Sequence, residues 1–567
     1  MSRRPSAVGV FGKLTRSVVA GQERSRGGVR QVYRVARALD RSGGVQEVNG
    51  GVAREIVAAR RRFVLREDLV RDGQRWCVPL GEKMPRDVTM ANFEIVDTAL
   101  KAAGIQAFSV RGLVSTKEVV AVDVKRREEV LQALADTWRD EPVLIQAVLK
   151  GERSRRLELP VAAAAVSPGV AGAGVVRVWR YYRSATGTLL LGPNFACEIE
   201  FWSTDKKTRV VRAPRPNVAA DILTTADTEL VESTVGDRPY PTAKVFTRRM
   251  LEDITFPIDA VYTWVDGEDP VWREKMLRAR AAADGREYHP LAHGDHRFVQ
   301  RDELKFSLRS VAMYAPWIRH IYLVTDNQCP DWLDRNHPKI TLVDHKDIFD
   351  DHSVLPVFNS NAIISRLHHI PGLGEHYIFF NDDFFLGRPL TPSQFFTPHG
   401  MALVSPSRNR RPFGAAAASD EPHFNLSRNI RALIQQEFGV TISHAIKHTP
   451  YPQLRSVHEE MEAKFAEIYR ATVSSRFRHH EDIVADQLFH YYAQAIGKAV
   501  PSQLRYDYVN IGVAAEMPRL RRLLNSRDKD VFCLNDAPEL GDSTPPEGAV
   551  RQILADYYPV PCEFEKR

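Results

Sequence analysis

The chain has 567 residues, of which 44% are hydrophobic and 26% are charged, and these values are typical of a globular protein with two or three domains. No run of about 18 apolar residues predicts a transmembrane span, and the basic start lacks the apolar segment of a secretory signal, so we expect a cytoplasmic protein. The net charge of +7 suits an anionic substrate or surface, but without zinc-finger, RNA-binding or basic-zipper patterns nucleic acid is not an expected partner.

Two segments precede the region that carries candidate chemistry. Residues 1–53 are rich in Arg, Gly and Ser and predict a flexible basic tail. The alternative is an arm that contacts an anionic membrane surface, so peripheral membrane association stays open. Residues 54–250 begin with an amphipathic helix and continue as helices and strands, which predicts an α+β accessory domain. The glycine-rich stretch 169–174 precedes a strand and lacks the spacing of a dinucleotide fingerprint, so we interpret it as a loop.

From residue 251 onward the sequence alternates between buried strands and helices. Strands are predicted at Ile258–Val265, Ile321–Thr325 and Ile340–Val343, and in the apolar run before Asn381. This alternation predicts an α/β fold with a Rossmann-like, mostly parallel sheet, in which ligands bind beyond the carboxyl ends of the strands. We assign residues 251–567 to one domain, with an α/β core at 251–400, a mainly helical completion at 401–540 and a tail at 541–567.

Acidic residues follow three of these predicted strands. Asp266 follows the first and Asp326 the second, and the run YIFFNDDFFLG places Asp382 and Asp383 directly after Asn381. Because the carboxyl ends of parallel strands share one edge of a sheet, we expect these side chains to form one constellation. Adjacent buried carboxylates are costly unless a cation neutralises them, and Mg²⁺ prefers oxygen ligands. The alternative is an Asx-rich turn between two strands.

Four ordered stretches resemble the Stealth family of sugar-phosphate transferases. That family includes bacterial capsule and exopolysaccharide phosphotransferases and the lysosomal-enzyme N-acetylglucosamine-1-phosphotransferase. The matching stretches are IDAVYTWVDGED at Ile258–Asp269, Arg301–Leu333, Phe358–Phe396 around FNDDFFLG, and the pair Arg476–Ala493 and Cys533–Asp536. The resemblance covers about residues 256–540 and leaves residues 1–250 outside it.

The resemblance implies an activity, a cofactor and a set of site residues. It implies an enzyme of the nucleotide-sugar transferase fold that moves a hexose-1-phosphate, such as N-acetylglucosamine-1-phosphate, from a nucleotide sugar to a hydroxyl of a glycan acceptor. A UDP-sugar is the expected donor, and Mg²⁺ or Mn²⁺ is the expected cofactor. By position, the implied metal ligands are Asp382 and Asp383, the catalytic residues are His448, Arg478 and Asp266, and the donor-binding residues are Asn381, Arg309 and Asn535.

The residue types suit that chemistry. Phosphoryl transfer requires neutralised phosphate charge and aligned reactants. Arg478 can clamp phosphate oxygens, and His448 can accept the proton of an acceptor hydroxyl near neutral pH. The alternatives are a surface histidine before a turn and an ion pair of Arg478 with Glu481 or Asp482.

The chain departs from the family pattern at two positions. Many members carry Glu at the position of Ile364 and His at the position of Arg366, and these differences concern the acceptor side or the sugar specificity. Two other function classes stay open: a metal-dependent glycosyltransferase that attacks the anomeric carbon, and a non-catalytic carbohydrate-binding protein. The intact Asn381-Asp382-Asp383 run argues against a decayed site.

Overall fold

The structure is a computed structural model that describes residues 49–114, 116–148, 157–282, 301–417, 422–536, 545–546 and 548–567. The chain divides into two compact units, Met1–Met250 and Leu251–Arg567. The basic tail predicted for residues 1–53 lies, up to residue 48, outside the described residues.

The first unit is a mixed sheet packed against helices. Its helices are α1 (Gly50–Phe63), α2 (Pro85–Ala102), α3 (Arg127–Trp138) and α4 (Pro168–Ala171). Its strands are β1 (Val70–Asp72), β2 (Arg75–Pro79), β3 (Phe108–Ser109), β4 (Glu118–Asp123), β5 (Val143–Val148), β6 (Leu159–Pro160), β7 (Val175–Arg183), β8 (Leu190–Leu191), β9 (Cys197–Asp205), β10 (Val210–Arg212), β11 (Ile222–Thr224), β12 (Leu230–Val231), β13 (Thr234–Val235), β14 (Arg238–Pro239) and β15 (Thr242–Ala243). Thirteen of these described strands form one sheet, with β1-β2-β7-β9-β4-β3-β15-β12 as its main path. The α+β prediction is therefore confirmed.

The loop predicted at residues 169–174 is partly wrong. Its first residues belong to the short helix α4, which begins after Ser167. The Ser167 hydroxyl accepts a hydrogen bond from the Val170 N–H at 3.5 Å, which is the arrangement of a helix N-cap.

Among the described residues, the second unit has more helices than the first. They are α5 (Pro270–Ala282), α6 (Glu303–Tyr314), α7 (Ser360–Ile364), α8 (Pro422–Phe438), α9 (Arg455–Lys464), α10 (Ala466–Ser474), α11 (Ala485–Ala495), α12 (Met517–Ser526) and α13 (Ala549–Tyr557). Its strands are β16 (Ile258–Thr263), β17 (Ile321–Thr325), β18 (Ile340–Asp344), β19 (His376–Asn381), β20 (Phe384–Leu386), β21 (Ala402–Val404), β22 (Pro406–Arg410), β23 (His444–Ile446), β24 (Tyr451–Leu454), β25 (Ala499–Pro501), β26 (Tyr506–Asn510) and β27 (Val531–Asn535).

A five-stranded sheet with the order β18-β17-β16-β19-β24 forms the centre of the second unit. The first three pairs are parallel and the pair of β19 with β24 is antiparallel, which confirms the mostly parallel α/β sheet. Strand β19 is buried along Tyr377–Phe380, as expected for a continuous apolar strand covered on both faces. Thr263 pairs with both Val324 and Asn381, so β16, β17 and β19 end side by side at one edge.

The region after residue 400 contains more strand than predicted, and its last part is not a tail. Strand β20 pairs with β27, and β27 pairs in parallel with β26. Residues 549–557 form helix α13, and its last residue Tyr557 and the following Tyr558 are almost completely buried. The tail predicted at 541–567 is therefore wrong for this described part, because its aromatic side chains pack into the core.

Candidate active site

The predicted metal carboxylates lie in the turn that joins β19 to β20. Asp382 and Asp383 are both partly exposed, and the Cys533 thiol donates to Asp383 Oδ2 at 3.3 Å. Asp383 Oδ1 is buried and has no hydrogen-bond partner. Burial raises the pKa of Asp382 to about 7, with a further contribution from the charge of Asp383. Burial also raises the pKa of Asp383 to about 7, and the charge of Glu303 adds to it.

Glu303 is a third carboxyl group in this cluster. It is buried at the start of α6, and burial together with the charge of Asp382 raises its pKa to about 7. The preceding Asp302 has a φ of 63°, a left-handed conformation that is uncommon outside glycine and that Asp tolerates better than most residues. The Arg301 N–H donates to Glu303 Oε2 at 2.6 Å, and the Arg301 guanidinium lies 2.8 Å from Asp536 Oδ2.

This carboxylate cluster fits a hard divalent cation. Three carboxyl groups with raised pKa values repel one another when ionised, and the orphaned Asp383 Oδ1 lacks a donor. Among the described residues, the groups whose ligand atoms all lie within 4.8 Å are His368-His369-Glu462 and His479-His480-Glu481, and the carboxylate cluster is not one of them. The oxygen ligands of this cluster are of the type that Mg²⁺ or Mn²⁺ prefers, and Mg²⁺ usually takes one or two carboxylates and completes its shell with water and substrate phosphates.

His448 lies beside Phe384, the first residue of β20. Its ring centroid is 6.2 Å from that of Phe384 and 6.2 Å from that of Tyr508. The side chain reaches solvent, yet the surrounding protein desolvates it and lowers its pKa to about 4, and the charge of Arg411 adds to this effect. His448 is therefore neutral near pH 7 and can accept a proton.

Arg478 lies beside the start of α7. Its Nη2 donates to the Ser360 hydroxyl at 2.6 Å. Asp482, one of the acids considered as its partner, is buried and accepts hydrogen bonds from Asn359 Nδ2 at 2.8 Å and Asn361 Nδ2 at 3.4 Å. These contacts hold the segment that carries Arg478 against the loop before α7.

Asp266 follows β16 at the expected sheet edge, but its carboxylate accepts a hydrogen bond within its own turn. Its Oδ1 accepts the Glu268 N–H at 2.9 Å, and its N–H donates to Gln328 Oε1 at 2.9 Å. Asp326 pairs with Lys275 at 3.1 Å. The three strand ends are thus adjacent, but the Asp266 and Asp326 side chains contact other groups. A single constellation of the acidic side chains and the catalytic role of Asp266 stay predictions.

Of the predicted donor-binding residues, two lie at the site and one does not. Asn381 ends β19, and Asn535 ends β27, whose Leu534 N–H donates to the Asp383 carbonyl at 3.1 Å. Arg309 donates from Nε and Nη2 to both Glu565 oxygens, at 2.7 and 2.8 Å. This bidentate pair occupies the guanidinium and ties α6 to the C-terminal segment, so we replace the donor-binding expectation for Arg309 with a structural role.

The two departures from the family pattern lie in a packed region. Ile364 is buried in α7. Arg366 is also buried and forms ion pairs with Asp350 and Glu462, while Glu462 Oε2 also lies 2.6 Å from His368 Nε2. The arginine is therefore balanced by local acids.

Several site residues were missed by the sequence reasoning. Glu303 is not among the site residues predicted from the sequence, although the acidic pair Asp302-Glu303 lies inside a matching stretch and is a usable signal. Tyr508 has its pKa raised to about 12 by burial and then by the charges of Cys533 and Asp383. Tyr508 lies on β26, a strand that the sequence reasoning did not predict.

Comparisons with known proteins give one family. Three conserved regions match: Stealth protein CR1, conserved region 1 (residues 256–284), Stealth protein CR2, conserved region 2 (297–404), and Stealth protein CR3, conserved region 3 (447–495). Exopolysaccharide phosphotransferase SCO6023 of Streptomyces coelicolor is 40% identical over 540 residues, which cover 90% of this chain and 89% of the relative. Exopolysaccharide phosphotransferase CpsY of Mycobacterium tuberculosis is 35% identical over 492 residues, which cover 85% of this chain and 89% of the relative.

The similarity to solved structures is low. The galactosyltransferase LgtC in complex with donor and acceptor sugar analogs has a TM-score of 0.28 and 10% identity, over 53% of this chain and 95% of that chain. The apo-form glycosyltransferase GlyE of Streptococcus pneumoniae has a TM-score of 0.27 and 9% identity, over 53% of this chain and 60% of that chain. These values support no inference about the site.

Proposed function

This chain belongs to the Stealth protein family, and from that premise we propose that it transfers a hexose-1-phosphate, such as N-acetylglucosamine-1-phosphate, from a nucleotide sugar to a hydroxyl of a glycan. The product is a phosphodiester-linked exopolysaccharide. The chain is thus a transferase of phosphosugars. The nucleotide-sugar donor and the glycan acceptor are what we propose.

The observation that carries this proposal is the placement of acids and base around one short strand. Asp382 and Asp383 precede β20, and the ring of His448 lies beside Phe384, the first residue of that strand. An acidic cluster that needs a cation and a histidine that is neutral near pH 7 therefore share one small region. Transfer of a phosphosugar needs both functions, because phosphate charge must be offset and a hydroxyl must lose its proton.

Asp382 and Asp383 would hold the Mg²⁺ or Mn²⁺, which supplies charge neutralisation on the donor diphosphate when bound. Arg478 donates hydrogen bonds to phosphate oxygens in this proposal, and Asn381 and Asn535 position the donor. The acceptor oxygen forms a bond to the sugar-bearing phosphorus, and the bond from that phosphorus to the bridging oxygen breaks. His448 takes the hydroxyl proton, and a nucleoside monophosphate leaves.

The nucleotide product distinguishes this reaction from glycosyl transfer. We expect the full chain, incubated with UDP-sugars and other nucleotide sugars, to release uridine monophosphate or the monophosphate of the matching base. The glycan should gain a phosphodiester. Chromatography of the nucleotides and phosphorus NMR of the glycan measure both products. Stoichiometric nucleoside diphosphate without a phosphodiester signal would contradict the proposal and support attack at the anomeric carbon.

We also propose that the protein lies in the cytoplasm, at the inner face of a membrane. None of the described helices is long and apolar enough to cross a membrane. Residues 1–48 contain nine arginines and one lysine against three acidic residues, a surplus that equals the net charge of +7 of the whole chain. Such a segment is attracted to anionic lipid headgroups.

Deletion of residues 1–48 should weaken binding to vesicles that contain anionic lipid by about 10²-fold or more at low salt, because each basic residue near the surface contributes about 1 kcal/mol. Co-sedimentation with anionic vesicles and with neutral vesicles as the control measures this effect. Equal binding of the full chain and the deleted chain would exclude this segment as the membrane contact.

A further inference from the structure

A group of cationic side chains lies near His448. We call this group the cationic face, and its members are Arg408, Arg410, Arg411, Arg431 and Lys447. Strands β22 and β23 form an antiparallel pair, and the chain runs directly from β23 through Lys447 to His448. Four of these cations therefore lie on or next to the strand pair that precedes the proposed base, and Arg431 lies on α8.

Within the described part of the chain, the side chains of the cationic face form no salt bridge. Among the residues that the structure describes, no carboxylate oxygen lies within 4.0 Å of a cationic nitrogen of these five side chains. Arg410 Nη1 donates instead to Ser443 Oγ at 3.0 Å. Arg431 Nε donates to the Ile442 carbonyl at 3.0 Å. Uncharged groups thus hold Arg410 and Arg431 in place.

Arg411 contacts two further neutral groups and keeps one donor free. It donates to the side chains of Ser427 and Gln487, while its Nε is buried without a hydrogen-bond partner. The charge of Arg411 lowers the pKa of the Asp486 carboxyl group, but burial has the larger effect and raises that pKa to about 7. A carboxyl that is only partly ionised near neutral pH cannot balance the whole face.

Mutual repulsion is visible within the cationic face. Burial lowers the pKa of Lys447, and the charge of Arg408 lowers it further. Burial and the charge of Arg411 lower the pKa of Arg431 in the same way. Like charges held together in this manner are stabilised by an anion that binds between them.

We propose that the cationic face binds an acceptor chain that already carries phosphodiesters, so that the enzyme extends an anionic glycan in preference to a neutral one. This inference rests on the proposed function, because each transfer of a hexose-1-phosphate adds one negatively charged phosphodiester to the product. Lys447 precedes His448 in the chain and the charge of Arg411 acts on His448, so the cationic face lies near the group that would take the proton of the acceptor hydroxyl.

An exposed aromatic ring adds a contact suited to sugar. The Phe413 side chain is 69% exposed, and the Arg431 guanidinium carbon lies 3.8 Å from its ring centroid. Aromatic faces are apolar surfaces against which the faces of sugar rings can pack. Arg411 and Lys447 are half-buried, and Lys447 Nζ lies 6.0 Å from the Tyr506 ring. A flexible chain can reach such recessed cations, whereas a flat bilayer reaches only the exposed ones.

The test compares two glycan probes of equal length on the full chain. One is a synthetic glycan of several hexose-1-phosphate repeats, and the other contains the same sugars without phosphate. We expect the wild type to bind the phosphodiester probe about tenfold or more tighter at low salt, as for two or more charge-assisted contacts. Added salt should reduce this preference.

The double variant Arg408→Gln/Arg410→Gln should lose most of the preference for the phosphodiester probe. Both side chains are exposed, so the fold should persist. The matched control is Arg335→Gln, an exposed arginine before β18, at the opposite edge of the sheet from Asp382. We expect this control to bind both probes as the wild type does.

Equal binding of the two probes by the wild type would overturn the inference, and so would an equal loss with both probes in the double variant. Binding of anionic vesicles through the same two arginines, without a glycan preference, would also overturn it in favour of a membrane contact. The nucleotide assay separates the two proposals. Release of nucleoside monophosphate without a probe preference rejects only the acceptor assignment, whereas no monophosphate from any donor rejects the proposed function.

Discussion

Replacing Asp383 with asparagine should reduce sugar-phosphate transfer by about 10²-fold or more, as expected for loss of a major electrostatic contribution. Asparagine keeps the size of the side chain but removes the charge that would hold the cation. Asp383 Oδ1 is buried and has no hydrogen-bond partner, so the carboxylate is arranged for a ligand rather than for the fold. Transfer by purified Asp383→Asn at saturating Mg²⁺ and Mn²⁺ measures the effect.

The stability of the same variant gives a second measurement that does not depend on activity. The folded pKa of Asp383 is raised to about 7 from its ordinary 3.8, so ionisation disfavours the folded state. The cost for the metal-free wild type is absent below pH 3.8 and grows until the pH reaches about 7. In chelator, Asp383→Asn should therefore melt at or above the wild-type temperature at pH 7. Added Mg²⁺ should raise the Tm of the wild type and not that of the variant.

A matched control is Asp331→Asn, which changes an exposed carboxylate outside the cluster. It should retain wild-type transfer and the wild-type response of Tm to Mg²⁺. Turnover near the wild-type level in Asp383→Asn, or in wild type with excess chelator, would contradict a metal role for this residue.

The central sheet could be predicted from the sequence because its strands carry a local signal. The run Tyr377–Phe380 is continuously apolar and ends in Asn381-Asp382, a pattern typical of a strand that is buried on both faces and followed by a turn. Parallel strands then require their ends to meet at one edge, and the pairing of Thr263 with Asn381 follows from that rule.

The composition of the site could not be predicted in the same way, because it depends on long-range pairing. The cluster joins Glu303 at the start of α6 to Asp382 after β19, and Cys533 reaches Asp383 through the pairing of β20 with β27. No local periodicity specifies which strand pairs with β20. The partner of Arg309 could not be predicted either, because the local sequence does not distinguish an arginine that binds a carboxylate such as Glu565 from one that binds a phosphate.

His448→Ala should reduce transfer by about 10² to 10⁴-fold, the usual range for loss of a positioned general base. Donor affinity should change little, because the proposed role of His448 is to take the proton of the acceptor hydroxyl. Added imidazole should restore part of the activity in the space that the substitution leaves, an effect that a purely structural histidine would not give. The matched control is His399→Ala, an exposed histidine that precedes β21.

The pH profile of the wild type tests the same assignment. The pKa of His448 is lowered to about 4, so the base is neutral and competent above that pH and becomes protonated as the pH falls through it. With saturating metal, kcat/KM should therefore keep its acid limb near pH 4, and His448→Ala should lose that limb. At low metal concentration a second acid limb should appear near pH 7, where protons compete with the cation for Asp382 and Asp383. A collapse of donor affinity in His448→Ala, with an unchanged acid limb, would instead assign this histidine to the binding of the donor phosphates.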